Sequence, residues 1–153
     1  MIKNQVKQLI EAEKKAAHLF QMIESRGLIK SGISEKELNK SVYDLAEELY
    51  GIRKYWHKRI VRAGKNTLLP YRENPPDLIL QEDDILFLDF GPVFEEWEAD
   101  FGRTYVIGDN SKKKQLVKDI AEAWKKGKDF FLAHQDTITG AHLRLYFEAG
   151  KII

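Results

Sequence analysis

The 153-residue sequence contains no cysteine, which excludes both a disulfide framework and a thiolate zinc site. It also lacks any apolar run near the roughly 20 residues that a membrane helix needs, so no membrane partner is expected. The opening Met1-Ile2-Lys3-Asn4-Gln5 has none of the apolar character of a signal peptide. Together these absences make the cytoplasm the expected location. Neither sign of charge is in excess: 25 Lys and Arg face 24 Asp and Glu, for a formal net charge of +1. That balance gives no reason to expect nucleic acid or an anionic surface as a partner. Internal repeats and low-complexity tracts are missing too.

What is present is the composition of a soluble globular chain, with 43% apolar and 32% charged residues. The length suits one domain with a real core. The expected domain spans 1–153, with two helices over 1–51, a long loop with a short strand over 52–83, a hairpin over 84–107 and helices over 111–149.

Residues 2–25 read as an amphipathic helix, because Ile2, Val6, Leu9, Ala12, Ala16, Leu19 and Ile23 recur at three- and four-residue steps. Gly27 is a natural stop. Ser34-Glu35-Lys36-Glu37 is a capping box opening a second helix, whose face of Leu38, Val42, Leu45 and Leu49 ends at Gly51. From Tyr55 to Asp84 the texture changes, with Gly64, Pro70, Asn74 and Pro75-Pro76 breaking any period. A short strand near Arg59–Ala63 fits here, and the rest is a long connection, either a functional loop or a plain crossover.

Over 84–107 the period becomes two. Ile85, Phe87 and Asp89 alternate with Leu86, Leu88 and Phe90, Gly91-Pro92 interrupts, and Asp100–Ile107 forms the next strand. After Gly108-Asp109-Asn110 a helix is expected up to about Ala133, with Leu116, Ile120, Ala123, Trp124, Gly127 and Phe131 on one face. A short final helix is expected over Gly140–Ala149.

Asp89 and Asp100 carry the chemistry. If the two strands form a hairpin folded about Phe94-Glu95, residue 89 opposes residue 100. Opposed side chains of an antiparallel pair have Cβ atoms about 4.5–5.5 Å apart. Two carboxylates so placed, each beside apolar sequence, either share a proton or hold a cation, and a divalent metal resolves their repulsion. Two other readings of the same residues stay open: a solvated acidic loop with Glu95, Glu96 and Glu98, or a weak calcium site.

The stretch Asp84-Ile85-Leu86-Phe87-Leu88-Asp89-Phe90-Gly91, with Ala99-Asp100-Phe101-Gly102-Arg103-Thr104 after it, resembles the methionine aminopeptidase, Xaa-Pro peptidase and creatinase family. Gly64-Lys65-Asn66-Thr67 is similar to that family's Gly-x-Asn segment. The resemblance covers the chain up to about residue 132. It implies an α/β pita-bread fold, helices packed on a curved and mainly antiparallel sheet, of which this is the N-terminal half. It also implies that Asp89 and Asp100 are metal ligands in a site holding two divalent ions (Mn, Co, Zn or Fe), with Asp100 bridging. Arg103 would orient a carboxylate or brace the strands, and Thr104 would support the ligands. In complete members the two metals activate water and polarise the scissile carbonyl of a peptide or small amide substrate.

Three departures qualify the expectation. The family's further histidine and two glutamates come from the second half of its fold, and His134, His142 and Glu148 lack the matching context. Pro70 stands before Tyr71 where peptidase members have a histidine, which leaves His57, preceded by Trp56, as a candidate to line the site and Tyr71 as a candidate substrate contact. Asp83-Asp84 replaces the family's Gly-Asp before the first strand. The expected function is therefore a metal-dependent aminopeptidase or Xaa-Pro peptidase-like hydrolase in truncated form, with no turnover from the isolated chain. The alternative is a non-catalytic remnant that binds or self-associates, as a homodimer or with a C-terminal fragment. The run Trp56-His57 with Tyr71-Arg72-Glu73-Asn74 leans toward the Xaa-Pro side of the family.

Overall fold

The computed structural model describes residues 2–148, which divide into one unit up to Gly108 and another from Asp109. In the first, α1 (Ile2–Ser25) and α2 (Glu35–Tyr50) accompany a three-stranded antiparallel sheet of β1 (Ile60–Ala63), β2 (Ile85–Phe90) and β5 (Phe101–Val106), in the order β1-β2-β5. A second small sheet pairs β3 (Val93–Phe94) with β4 (Trp97–Glu98). No helix of the described residues is long and apolar enough to cross a membrane.

The core follows from the two periodicities. Along β2, Leu86, Leu88 and Phe90 are fully buried, while Ile85, Phe87 and Asp89 turn to the other face. The buried set packs with Leu19, Phe20 and Ile23 of α1 and Leu38, Val42 and Leu45 of α2. The α1 stripe is buried only from Ala12 onward, since Val6 and Leu9 are about half exposed, at 50% and 47%. The capping box forms as the sequence leads one to expect: the Glu37 N–H donates to Ser34 Oγ at 3.1 Å and the Ser34 N–H to the Glu37 carboxylate at 2.6 Å. Gly51 closes α2 in the left-handed conformation, at φ 66°. Asp83, where the related family has glycine, takes φ 64°, a region that aspartate tolerates better than most side chains, so the turn survives the replacement.

The long connection between β1 and β2 opens with a 3₁₀ turn (Gly64–Leu68) and is tied down by buried polar groups. Glu35, 6% exposed, accepts from the Ala63 N–H at 2.7 Å, the Leu78 N–H at 3.3 Å and the buried Asn66 amide at 2.9 and 3.1 Å. Arg62, 4% exposed, donates to the Leu69, Pro70 and Glu73 carbonyls. Lys58 Nζ reaches the Tyr71 carbonyl and Asn74 Oδ1, each at 3.0 Å. Backbone carbonyls that water would otherwise satisfy are met by guanidinium and ammonium donors, which is why a segment this long holds one course.

Tyr55 forms an isolated antiparallel bridge with Pro92, and its hydroxyl oxygen is buried without a hydrogen-bond partner. Burial pushes its ionisation from the ordinary 10.0 up to about 12. The folded state keeps a proton that the unfolded chain loses near pH 10, so this contribution is full below that pH and is lost as pH rises through 12. Tyr55→Phe removes an unsatisfied buried hydroxyl. It is expected to stabilise the chain at neutral pH by about 1 kcal/mol and to make stability fall less steeply above pH 10, read from urea melts at pH 7 and pH 11.

The second unit is a pair of helices, α3 (Ser111–Ala133) and α4 (Gly140–Glu148). Asn110 caps α3 by accepting from the Lys113 N–H at 3.1 Å, and the Phe130 and Tyr146 rings stack with centroids 3.9 Å apart. Ala149, the expected end of the last helix, lies outside the described residues.

Candidate metal centre

Strand register builds the site. Asp89 opposes Gly102, not Asp100, because the turn falls at Glu95-Glu96, one position later than Phe94-Glu95. Phe94 pairs with Trp97 across that turn, and Glu95 adopts φ 61°. Moving a turn by one position moves every partner by two. Two is the period of a strand, so Asp100 stays on the face of Asp89 as a diagonal neighbour instead of flipping away. The expected pairing is wrong by two residues, yet the carboxylates still converge.

The third member comes from the other side of β2. Tyr55 pairs with Pro92 and Ile60 with Asp89, so the chain takes five steps (55 to 60) where its partner takes three (92 to 89). The two extra residues make a bulge, which carries His57 toward the two acids. The Trp56 N–H donates to the Gly91 carbonyl at 3.0 Å, and the Trp56 indole N–H reaches over to the Ala99 carbonyl at 2.9 Å. His57 Nε2 then lies 3.8 Å from Oδ1 of Asp89 and 3.8 Å from Oδ1 of Asp100. Ligand atoms from all three residues fall within 4.8 Å of one another, and among the described residues no other group of three acidic or histidine side chains converges in this way.

Gly91 explains how the ring fits. A Cβ there would lie 2.4 Å from Trp56 Nε1 and 2.5 and 2.7 Å from His57 Cδ2 and Nε2. Gly91 is thus a packing requirement, imposed by the Trp56 and His57 side chains lying close against its backbone. Gly91→Ala should push His57 off the carboxylates and cost about 1–3 kcal/mol of stability, read as a lower urea midpoint together with loss of the His57 side-chain NMR environment.

Burial pushes the Asp89 carboxyl above the ordinary carboxylate value; the Asp100 charge adds to that rise and His57 opposes it. Arg103 does not relieve the crowding. It pairs with Leu88, on the opposite face of the sheet, donates to the Gly102 carbonyl at 2.7 Å and stacks 4.0 Å from the Phe101 ring centroid. Its guanidinium thus lies against its own strand, on the face opposite the carboxylates. Thr104 pairs with Phe87 on the site face, two residues beyond Gly102. The Tyr71 ring stands 6.4 Å from the His57 ring, half exposed, with its hydroxyl accepting from the Lys58 N–H at 3.2 Å. Two carboxylates and an imidazole form a donor set that suits a divalent ion.

The profile of metallopeptidase family M24 matches residues 7–138. The chain belongs to metallopeptidase family M24. Its sequence is 28% identical over 99 residues to an Xaa-Pro dipeptidase of Pyrococcus horikoshii, covering 64% of this chain and 28% of the dipeptidase. Among solved structures, the Xaa-Pro dipeptidase of Bacillus anthracis superposes with a TM-score of 0.70 at 26% identity, over 81% of this chain and 34% of that one. A zinc-substituted Escherichia coli aminopeptidase P superposes with a TM-score of 0.64 at 16% identity, over 78% of this chain and 28% of that one, and so shares the fold. The chain therefore spans about a third of the length of these relatives, and its mixed helix and antiparallel-sheet architecture is that of their pita-bread fold.

Proposed function

We propose that this M24 chain supplies part of the divalent-metal centre of an Xaa-Pro peptidase-like hydrolase, with Asp89 and Asp100 as ion ligands. The convergence of two carboxylates on one sheet face, with Asp100 the diagonal neighbour of Asp89, is the observation that carries this reading. A bound ion there would act as a Lewis acid toward the scissile carbonyl and would acidify water. The chain's own contributions are to hold two acids close together, to place Thr104 on their face, and to keep Tyr71 at the rim, where the clamped 69–74 segment presents it to a peptide substrate. Manganese, cobalt, zinc and iron are all accepted by sites that mix carboxylates with histidine. The cysteine-free composition favours a cytoplasmic setting.

The 153-residue chain is expected to show no turnover of Xaa-Pro dipeptides with any of these ions, because the three convergent donors are too few for a two-ion site. Turnover by the 153-residue chain that is lost in Asp100→Asn would overturn this expectation. If the chain is inert while ion binding persists, the family remnant with a binding role becomes the better reading. Leu116, Ile120 and Trp124 stand exposed at four-residue steps on α3 and favour self-association or a partner polypeptide. A monodisperse, cooperatively folding monomer in light scattering would count against that.

A further inference from the structure

We infer that His57 is itself a metal ligand, completing with Asp89 and Asp100 a one-nitrogen, two-oxygen site that favours borderline ions such as Zn²⁺ and Co²⁺ over Mg²⁺ and Ca²⁺. This rests on the reading of the two aspartates as ion ligands and extends it to a residue from a different strand, with a consequence for ion selectivity.

The tautomer comes first. His57 Nδ1 lies 2.8 Å from the Lys58 carbonyl oxygen. A carbonyl oxygen only accepts, so Nδ1 carries the hydrogen and the neutral ring has its bare lone pair on Nε2. That nitrogen is the one that faces Asp89 and Asp100. Metal-binding histidines are commonly oriented in this way, by donating the distal N–H to a backbone carbonyl.

Distance comes second. At 3.8 Å from each carboxylate oxygen, Nε2 is too far for a hydrogen bond to either acid. Ligand atoms that share one tetrahedral ion, with bonds of about 2.1 Å, sit about 3.4 Å apart. The two Nε2 distances exceed that by a few tenths of an ångström, and the three ligand atoms as a set lie within 4.8 Å. Asp100 is free to close the difference, since its side chain is 65% exposed.

Rigidity comes third. The ring is pinned between the Gly91 backbone, which admits it only for want of a Cβ, and the Trp56 indole, whose N–H is fixed to the Ala99 carbonyl. The His57 side chain is only 12% exposed. A ligand held in place by its packing loses little entropy on binding. The imidazole nitrogen raises preference for Zn²⁺ and Co²⁺, whereas a site of carboxylates alone suits Mg²⁺ and Ca²⁺.

The competing role for His57 is a protonated imidazolium that neutralises the two acids, and it differs in sign. Removing a ligand weakens ion binding; removing a competing positive charge strengthens it. The 153-residue chain, His57→Ala and the Asp89→Asn/Asp100→Asn double variant are titrated with CoCl₂ and separately with MgCl₂ by calorimetry, with circular dichroism confirming each fold. We expect His57→Ala to weaken Co²⁺ binding by at least about tenfold and Mg²⁺ binding by less than about threefold. Because a variant can fail to fold, the unaltered chain is also titrated with ZnCl₂ and its histidine ¹⁵N shifts recorded, where the Nε2 resonance of His57 should move on ion binding while Nδ1 stays protonated. Equal or tighter Co²⁺ binding by His57→Ala, or an unmoved Nε2 resonance, overturns the inference. If the double variant has meanwhile lost binding, the aspartates stand as ligands without His57. If the double variant binds as the unaltered chain does, the aspartate reading fails as well.

Discussion

Glu35→Ala should lower the stability of the chain by about 3–5 kcal/mol, more than any substitution of comparable size at an exposed position. The carboxylate is 6% exposed, and its two oxygens accept from the Ala63 and Leu78 backbone N–H groups and from the Asn66 amide. Removing it strands buried donors, each costing about 1–3 kcal/mol. Glu35→Gln should be nearly as harmful despite its matching shape. Oε1 faces the Ala63 N–H and Oε2 faces the Leu78 N–H, so either orientation of the carboxamide points an NH₂ group at another donor. Urea melts of both variants measure this, and a loss under 1 kcal/mol for Glu35→Gln would show that the loop does not depend on the anion. The 64–78 segment, which carries Tyr71 toward His57, should loosen first.

The second large effect separates stability from binding at one residue. Asp89→Asn is expected to lower divalent-ion affinity at least about a hundredfold, equivalent to about 2.7 kcal/mol, while leaving the ion-free chain as stable as before or more so. Burial disfavours the Asp89 anion more than His57 favours it, Asp100 adds to the burial effect, and neither Arg103, on the other face, nor Lys58 and Arg62, which donate to loop carbonyls, offsets it. An acid kept where its charge is unwelcome marks a site in which function costs stability. Melting temperatures with and without Mn²⁺ read both halves of the prediction. A marked drop in the melting temperature of the ion-free variant would instead make Asp89 a structural residue.

These two residues also show how far the sequence could be read. Asp89 stood out because a charge interrupted an alternating apolar strand, a signal carried by neighbours in the chain. Its partner was misassigned by two positions, since Glu95 in a left-handed turn conformation has no strong local signature, yet the face came out right because the error matched the strand period. Glu35 was legible only as a member of the capping box. Its bond to Asn66, 31 residues away, depends on how the β1–β2 connection closes, which no local pattern encodes. His57 was visible as a candidate beside Trp56, but the bulge that turns it inward arises from a mismatch between two segments, and neither segment alone reveals it. Arg103 was placed near the carboxylates by resemblance, and strand alternation turns it to the opposite face.

The measurement that tests the centre most directly is paramagnetic broadening of the ¹⁵N-labelled chain by substoichiometric Mn²⁺. Amide signals of residues 57, 89–91 and 100–102 should vanish first, and signals from α1 should persist. Early broadening centred on Glu95 and Glu96, or spread evenly over the acidic surface, would contradict a cation held between Asp89 and Asp100.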